Sequence, residues 1–348
     1  MPASSQIQPF EYDLPAEKIA QHPPAVRGAS RLLVLDRSDG SLDDRAYPDL
    51  IDYLLPHDLI IINTTKVIPA RLLATNRSGA TRELFLTERH RTPLLSLTAR
   101  VVYRGKLRIG DILQVGTESI EVITIFEGGQ AMIRATVPPV ILAERFGQAP
   151  LPPYIKRNLE ATDKDRYQTE FARQLGSVAA PTASLNLTSQ ALKAIRQKGI
   201  GVSNLTLHVG RGTFLPIRTD SLVEHIMHEE YYVIPRSTIK AIQTAKQQGG
   251  RVIAIGTTVT RALEHAAARI IGDATEPRPI RDEADIFIYP SYEFRIVDGL
   301  LTNFHAPDST VLQLAAAFAG VEMLERAYRH ALENEYAFLS YGDSMLIL

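Results

Sequence analysis

The chain contains no cysteine, which excludes a disulfide framework, a thiolate metal site and a cysteine nucleophile. It also lacks a long hydrophobic run. The longest run, residues 311–321, is interrupted by Gln313 and is far shorter than the ~20 residues that span a membrane. No basic stretch followed by an apolar run stands near the first residue, so no secretory signal is indicated. We therefore expect a cytoplasmic protein without membrane contact.

A strong charge of one sign is absent as well, because the formal net charge is −1 and the pI is about 6.8. Proteins that coat nucleic acid without selectivity are usually basic throughout. A nucleic-acid partner of this chain would therefore need a local basic patch.

The 348 residues are enough for two domains of ordinary globular composition. Between residues 68 and 149 the chain is rich in strand-forming runs and glycine turns. Within it, residues 131–137 alternate apolar and polar side chains as a half-buried strand does. We predict a small antiparallel β-barrel at 68–149, inserted into an α/β domain that comprises residues 1–67 and 150–348.

Beyond about residue 176, predicted strands and helices alternate, which favours a three-layer α/β domain with a mixed sheet. Thr188 and Ser309 are typical helix caps. One helix is predicted at 237–248, and another runs from Gly256 to about residue 269. The predicted strands are 59–62, 205–209, 251–255 and 285–289.

Seven short blocks place reactive residue types beside glycine or proline, and most follow a predicted strand. Loops at strand ends are where binding sites are usually built, so seven such blocks indicate an enzyme with a site assembled from many segments. The blocks are residues 152–157, 179–182, 205–214, 225–229, 255–258, 301–307 and 340–343.

The block at 225–229 brings together His225, His228 and Glu229. Two histidines three residues apart can bind zinc from one helical face. The order differs from the His-Glu-x-x-His metalloprotease pattern, however, and no third ligand is indicated. Acid–base or hydroxyl-binding use is favoured, and structural hydrogen bonding is the alternative.

Two glycine-containing blocks can bind anions. Gly210-Arg211-Gly212 comes shortly after His208. Its glycines allow the backbone to approach a ligand closely, and the Arg211 guanidinium can make two parallel hydrogen bonds to a phosphate or carboxylate. Gly256-Thr257-Thr258 lies between a strand and a helix, with Arg261 one turn further on. The alternatives are a tight turn with a solvated arginine and simple helix capping.

Two other blocks carry groups suited to a nucleotide substrate. Asn303 offers both a donor and an acceptor, and His305 could titrate near neutral pH. Lys156 and Arg157 form a basic cluster beside Tyr154, which suits phosphates and bases, although interleaved acidic residues also fit a solvated charged segment.

Taken in this order, these blocks resemble the S-adenosylmethionine:tRNA ribosyltransferase-isomerase family of queuosine biosynthesis over nearly the full length. The family fold is an α/β sandwich with a small β-barrel, in agreement with the pattern described above. The segments that carry the resemblance are residues 10–15, 19–22, 30–36, 67–72, 151–157, 165–169, 178–183, 206–210, 212–214, 249–254, 302–305, 318–320 and 340–343.

The resemblance implies that the ribosyl part of S-adenosylmethionine is transferred to the aminomethyl-deazaguanine base at the tRNA wobble position. Isomerisation then gives epoxyqueuosine, and adenine and methionine leave. S-adenosylmethionine is a co-substrate, no metal or permanently bound cofactor is implied, and a monomer is expected. The partner is tRNA that carries the precursor base.

This chemistry suggests a role for each candidate. A base must remove the proton that the sulfonium makes acidic, and His208 or His228 would serve. Glu229 or a histidine would protonate the departing adenine. Arg211 or Arg261 is expected to bind the methionine carboxylate, and Lys156 and Arg157 are expected to bind tRNA phosphates. The residues expected to bind the remaining substrate groups are Thr182, Thr257, Thr258, Asn303 and His305.

Three departures bear on the expected activity. Thr64 stands where the family usually has Asp, Ser184 where Gly is usual, and Asn186 where His is usual. Two titratable groups are thereby lost from the expected site. The alternatives are a divergent paralogue that acts on another nucleoside and a non-catalytic tRNA-binding protein on the same scaffold.

Overall fold

The structure is a computed structural model that describes residues 10–87, 96–210, 222, 225, 227–272 and 277–348. Its centre is a nine-stranded mixed sheet. In spatial order the strands are β15 (Ile280–Ala284), β13 (Glu230–Ile234), β12 (Gly201–Leu207), β3 (Leu59–Asn63), β14 (Val252–Ile255), β16 (Gly299–Asn303), β17 (Ser344–Ile347), β1 (Arg31–Leu35) and β2 (Leu42–Ala46).

Four neighbouring strands of this sheet run in the same direction. β12 and β14 both pair in parallel with β3, and β14 also pairs in parallel with β16. The carboxyl ends of these strands therefore meet at one edge. β13 is antiparallel to β12, and β17 is antiparallel to β16, so the sheet is mixed as predicted.

The central strand β3 shows why the main unit has three layers. Leu59 and Ile61 belong to the core on one face of the sheet, whereas Ile60 and Ile62 belong to the core on the other face. Such a continuous apolar run is typical of a strand buried on both sides. The predicted α/β class with a small β-barrel is thus confirmed.

Helices cover both faces of the sheet. Thr188 and Ser309 cap two of them as predicted, since their side chains accept hydrogen bonds from Ala191 N and Leu312 N. One face is covered by α4 (Arg236–Gln247), α5 (Thr257–His265), α6 (Ala267–Gly272), α7 (Thr310–Ala319) and α8 (Val321–Glu333), and the other by α3 (Ser189–Gln197) and the 3₁₀ helix Tyr47–Tyr53.

The second unit is a closed antiparallel barrel. The alternation predicted at 131–137 is present, since Ala131, Ile133 and Ala135 are buried in the barrel core. The limits 68–149 stay a prediction, and all six strands lie within them. Around the barrel these are β10 (Gln130–Ala135), β7 (Thr98–Arg104), β6 (Thr81–Leu86), β5 (Arg71–Asn76), β8 (Ile112–Val115) and β9 (Glu118–Phe126).

Short elements connect the two units. A two-stranded parallel sheet pairs β4 (Thr65–Val67) with β11 (Gln174–Ser177). The remaining helices are α1 (Pro139–Phe146), α2 (Asp163–Arg166) and the 3₁₀ helices Ala16–Lys18 and Thr182–Ser184. Within the described ranges, no helix is long and apolar enough to cross a membrane.

Two predicted elements differ from the structure. The helix expected from Gly256 to about 269 is divided at Ala266 into α5 and α6. The strand predicted at 285–289 is wrong, because β15 ends at Ala284 and the following residues are irregular. This apolar segment is a loop, and its Ile286 carbonyl accepts a hydrogen bond from Arg261 Nε.

Candidate active site

The segments at the carboxyl ends of three of the parallel strands, β12, β14 and β16, border a cleft of about 230 Å³. Clefts outside the carboxyl ends of strands are the usual ligand sites of open α/β sheets. This cleft is lined by Tyr154, residues 180–183, Val209, residues 256–258, residues 302–307, Ser309, Val311, Leu339 and Ser340. It therefore gathers five predicted substrate-binding residues, Thr182, Thr257, Thr258, Asn303 and His305, from three distant segments.

Helix α5 begins at the cleft. Gly256 joins β14 to the helix with a φ of 95°, a left-handed conformation that glycine adopts without strain. Thr257 and Thr258 then form the first turn, where backbone N–H groups have no partner inside the helix. The start of α5 therefore presents partial positive charge to whatever occupies the cleft.

Asn303 lies at the end of β16 and is only 2% exposed. Its Nδ2 donates to the Asp343 carbonyl at 3.3 Å, whereas its Oδ1 finds no donor among the described residues. Buried acceptors without a donor are uncommon in folded proteins and often mark functional positions. Asn303 is therefore the strongest candidate in the cleft for binding an N–H group.

His305 is held in place by hydrogen bonds. Its Nε2 lies 2.8 Å from Thr302 Oγ1, and its carbonyl accepts from the Tyr12 hydroxyl. Burial lowers the pKa of His305 to about 3. The expectation that it titrates near neutral pH is therefore wrong, and the ring is a neutral hydrogen-bonding group at physiological pH.

Asn63 was not among the predicted site residues, yet it connects β12 and β4 to Thr258, which lines the cleft. Its Oδ1 accepts from Thr65 N and Leu207 N, both at 3.0 Å, and its Nδ2 donates to the Leu207 carbonyl at 2.9 Å. A weaker contact of 3.4 Å reaches Thr258 Oγ1. The available signal was a polar residue directly after the apolar run 59–62.

Tyr154 and Ser340 were also missed, although both belong to blocks that the sequence singled out. The Tyr154 hydroxyl lies 2.6 Å from Ser340 Oγ at the wall of the cleft. Burial raises the pKa of Tyr154 to about 12, so the phenol stays protonated at neutral pH. This pair supplies hydroxyl groups to the cleft without adding charge.

His208 directly precedes Val209, which lines the cleft, but is not itself among the lining residues. Its Nδ1 is 2.8 Å from Thr65 Oγ1, and the residue is 8% exposed. The ring lies against Gly176, where a Cβ atom would come within 2.8–2.9 Å of three ring atoms. Glycine at 176 therefore allows the imidazole to occupy this position.

Arg261 lies elsewhere than predicted. Its guanidinium is paired with Glu230 and donates to the carbonyls of Ala284 at 3.0 Å and His228 at 3.3 Å. The side chain is nearly fully buried, so the proposed contact with a substrate carboxylate is not supported. Because Glu230 also accepts from Gly210 N, the pair joins both ends of the 210–230 segment.

Two other predicted groups of this segment, His228 and Glu229, are exposed and are not among the residues that line the cleft. Arg211 lies outside the described residues. Burial and the nearby His228 lower the pKa of His225, whose ring contacts Phe287. In the part of the chain that the structure describes, no group of three or more His, Cys, Asp or Glu is placed to hold a metal ion.

Lys156 and Arg157 line a second depression, the groove, which has a volume of about 300 Å³ and lies between the barrel and residues 149–159. Lys156 is exposed. Arg157 makes two hydrogen bonds to Asp163, at 2.6 and 2.7 Å, and another to the Gln21 carbonyl. The two residues therefore differ, since only Lys156 presents its charge openly to solvent.

The three departures from the family pattern are all buried. Thr64 Oγ1 donates to the Leu205 carbonyl at 3.1 Å, and Asn186 Nδ2 donates to the Gly342 carbonyl at 3.3 Å. Ser184 Oγ has no partner among the described residues. The side chains of Thr64 and Asn186 are thus hydrogen-bonded within the fold. Asn186 follows Ala183, a residue that lines the cleft, by three positions.

A mainly apolar, uncharged cleft with a few converging polar groups, at the carboxyl ends of parallel strands in a mixed sheet, is typical of an α/β enzyme whose substrate site is assembled from loops. A sequence profile described as "Queuosine biosynthesis protein" matches residues 7–347. The chain belongs to this family, and the resemblance noted in its sequence is confirmed.

Curated relatives agree with this assignment. The S-adenosylmethionine:tRNA ribosyltransferase-isomerase of Pelodictyon phaeoclathratiforme is 54% identical over 97% of this chain and 98% of that protein. The protein of the same name from Geotalea uraniireducens is 44% identical over 98% and 99%. A crystal structure of S-adenosylmethionine tRNA ribosyltransferase from Thermotoga maritima has 33% identity and a TM-score of 0.55, over 97% and 99% of the two chains.

Proposed function

We propose that this protein is an S-adenosylmethionine:tRNA ribosyltransferase-isomerase. It transfers and isomerises the ribosyl moiety of S-adenosylmethionine onto the aminomethyl-deazaguanine base at the tRNA wobble position, which gives epoxyqueuosine-tRNA, adenine and methionine. The observation that carries the proposal is the cleft, which gathers Thr182, Thr257, Thr258, Asn303 and His305 in one place. Family membership and relatives of this name support it.

The methionine end of the co-substrate binds at the start of α5. Backbone N–H groups of Thr257 and Thr258 replace Arg261 as partners for the carboxylate, since Arg261 is occupied by Glu230. Asn303 Oδ1 accepts an N–H group of the substrate. The hydroxyl groups of Thr182 and Tyr154 bind ribose oxygens, so the substrate is held by dipoles rather than ions.

His208 is the base that removes the acidic proton beside the sulfonium. Thr65 and Gly176 hold its ring, which favours a fixed direction of attack. His305 is a weaker base because its pKa is about 3, and it positions substrate instead. His228 and Glu229 stay candidates for protonating adenine, because both side chains are exposed and a docked substrate can reach them.

We further propose that the enzyme meets its tRNA substrate in the cytoplasm and acts as a monomer. Lys156 contacts tRNA phosphate, and Arg157 supports the backbone that carries Lys156 through its bonds to Asp163 and the Gln21 carbonyl. The wobble base is in a single-stranded loop, so it enters the cleft at a lower unstacking cost than a base in a duplex.

The decisive experiment incubates the protein with S-adenosylmethionine and tRNA that carries the precursor base, followed by mass spectrometry of the digested nucleosides. We expect epoxyqueuosine together with one adenine and one methionine per transfer. A matched tRNA with guanine at the wobble position is the control. Adenine release that ignores the wobble base would indicate a paralogue with another substrate, and tRNA binding without adenine release would indicate a non-catalytic protein.

The same assay measures the effect of the departures. Thr64→Asp and Asn186→His restore the usual family residues, alone and together. Since Thr64 and Asn186 are hydrogen-bonded within the fold, we expect the native chain to turn over and the restored variants to change kcat by less than about tenfold. Turnover only in the restored variants would show that this chain has lost the reaction.

A further inference from the structure

The outer surface of the barrel carries a row of side chains that runs across four strands. Phe85 of β6 pairs with Val102 of β7, Val102 pairs with Gln130 of β10, and Gln130 pairs with Phe126 of β9. All four are partly exposed. Their neighbours along the strands, Leu84, Val101 and Ala131, are in the barrel core, so the row faces outward.

Two arginines lie over the aromatic ends of this row. The Arg100 guanidinium carbon is 4.6 Å from the Phe126 ring centroid, and that of Arg104 is 5.9 Å from the centroid of Phe85. Both arginines are exposed. We call Phe85, Arg100, Val102, Arg104, Phe126 and Gln130 the barrel face. Phenyl rings and guanidinium planes are the groups on which single-stranded bases stack.

The charge of the barrel differs from that of the chain as a whole. Between residues 68 and 149 there are 11 Lys and Arg and 7 Asp and Glu, whereas the complete chain has 38 and 39. At the barrel face, Glu83 lies between Arg71 and Arg104, so two cations meet one carboxylate. The barrel is thus the basic part of a nearly neutral protein, which favours a polyanionic partner.

The barrel face is linked to the cleft through the groove. Phe85 and Arg104 line the groove together with Arg71 and Lys156. Two chain segments then lead from the groove to the cleft: Val178 lines the groove and Ala180 the cleft, and Pro153 lines the groove and Tyr154 the cleft. A ligand in the cleft and one in the groove would therefore be neighbours, and the barrel face begins at the groove with Phe85 and Arg104.

We infer that the barrel face and the groove form the docking surface for the RNA strand next to the base that enters the cleft. The inference rests on the proposed function, which makes tRNA the partner. Arg100, Arg104 and Lys156 contact phosphates, whereas Phe85 and Phe126 stack against unpaired bases. The barrel thus recognises RNA, and the α/β unit performs the chemistry.

The test measures binding of precursor-containing tRNA by fluorescence anisotropy between 50 and 200 mM salt. The double variant Arg100→Glu/Arg104→Glu is expected to raise the Kd at least about tenfold. It should also reduce the salt slope, which is the slope of log Kd against the logarithm of the salt concentration, by about two. Phe85→Leu/Phe126→Leu is expected to raise the Kd about threefold or more while the salt slope stays unchanged. Lys240→Glu on α4, also an exposed cation, is the matched control and should leave the Kd within twofold.

Further measurements separate docking from catalysis and from misfolding. The arginine variant should raise KM for tRNA, leave kcat at saturating tRNA unchanged, and bind S-adenosylmethionine in calorimetry as the native protein does. Arg100→Gln/Arg104→Gln, which removes charge without reversing it, should show a smaller loss in the same direction. A native-like Kd and salt slope in folded arginine variants would overturn the inference, whereas absent turnover in a native protein that binds tRNA would overturn only the proposed function.

Discussion

The cleft and the barrel face use opposite kinds of side chain. The described lining of the cleft contains no Asp, Glu, Lys or Arg, and its two titratable groups, Tyr154 and His305, are both uncharged at neutral pH. The barrel face carries exposed arginines. Burying an unpaired charge is costly, whereas an exposed charge keeps its hydration. The cleft is therefore built from neutral dipoles, and ionic contacts are left to the open surface.

The same contrast separates two arginine–glutamate pairs. Arg261 and Glu230 are both nearly fully buried, and they fix the ends of the segment that follows His208. Arg104 Nη1 lies 3.4 Å from Glu83 Oε2 at the barrel face, where the side chain of Arg104 is 67% exposed. The first pair determines structure, and the second leaves its cation available to a partner.

Removing one member of the buried pair should have the largest effect. Arg261→Met leaves Glu230 buried without its cation, and we expect a loss of about 3–5 kcal/mol in the free energy of unfolding. Arg104→Met, the exposed counterpart, should change it by less than ~1 kcal/mol. Urea unfolding measures both, and similar losses would refute the distinction between the two pairs.

Two asparagines allow a matched comparison of polar contacts. Asn63→Ala leaves Leu207 and Thr65 with unsatisfied buried backbone groups, so we expect a loss of about 1–3 kcal/mol in unfolding free energy together with lower kcat. Asn76, which accepts bonds from Ser78 N and Ala80 N in a barrel turn, is the control. Its replacement by Ala should leave kcat unchanged, and a similar loss of kcat would contradict the role of Asn63.

Gly176→Ala tests the position of His208. A Cβ atom at 176 would contact the imidazole ring, so the ring must shift, and we expect kcat to fall about ten- to a hundredfold with little change in KM. Gly272→Ala in α6 is the control, because an added Cβ atom there would meet no described atom within 4 Å outside its chain neighbours and its own helix backbone. An unchanged single-turnover rate in the first variant would remove His208 as the base.

At neutral pH the smallest expected effect is that of His305, because its contribution to stability changes only as the pH falls below 6.5. His305 has a pKa of about 3 in the folded protein and 6.5 without its environment, so between these values the unfolded chain binds a proton that the folded protein does not. Stability must therefore fall as pH falls from 6.5 toward 3, by at most ~1.4 kcal/mol per pH unit from this group. His305→Gln should make the decrease between pH 6.5 and 4.5 shallower in urea titrations, and an unchanged slope would argue against a buried neutral imidazole.

Local patterns in the sequence were sufficient for part of this structure. The caps Thr188 and Ser309, the alternation at 131–135 and the turn at Gly256 depend on residues near one another in the chain, and all were predicted. The clustering of strand-end blocks also follows from topology, because parallel strands bring their carboxyl ends together.

The remaining features depend on partners far apart in the chain. The buried contacts of Arg261 with Glu230 and the Ile286 carbonyl arise only once β13 and β15 are paired. Residues 285–289 have the composition of a strand, and the bond from Arg261 to the Ile286 carbonyl is likewise invisible in their local pattern. Asn63 likewise acquires its role from Leu207, 144 residues later.

The position of β17 has a consequence for synthesis on the ribosome. This strand, Ser344–Ile347, lies between β16 and β1 and pairs with both. The hairpin of β1 and β2 leaves the ribosome early, yet it can join the sheet only after residue 347 has been translated. Until then its apolar surface needs temporary cover, so chaperone contact during translation should be longest for this N-terminal hairpin.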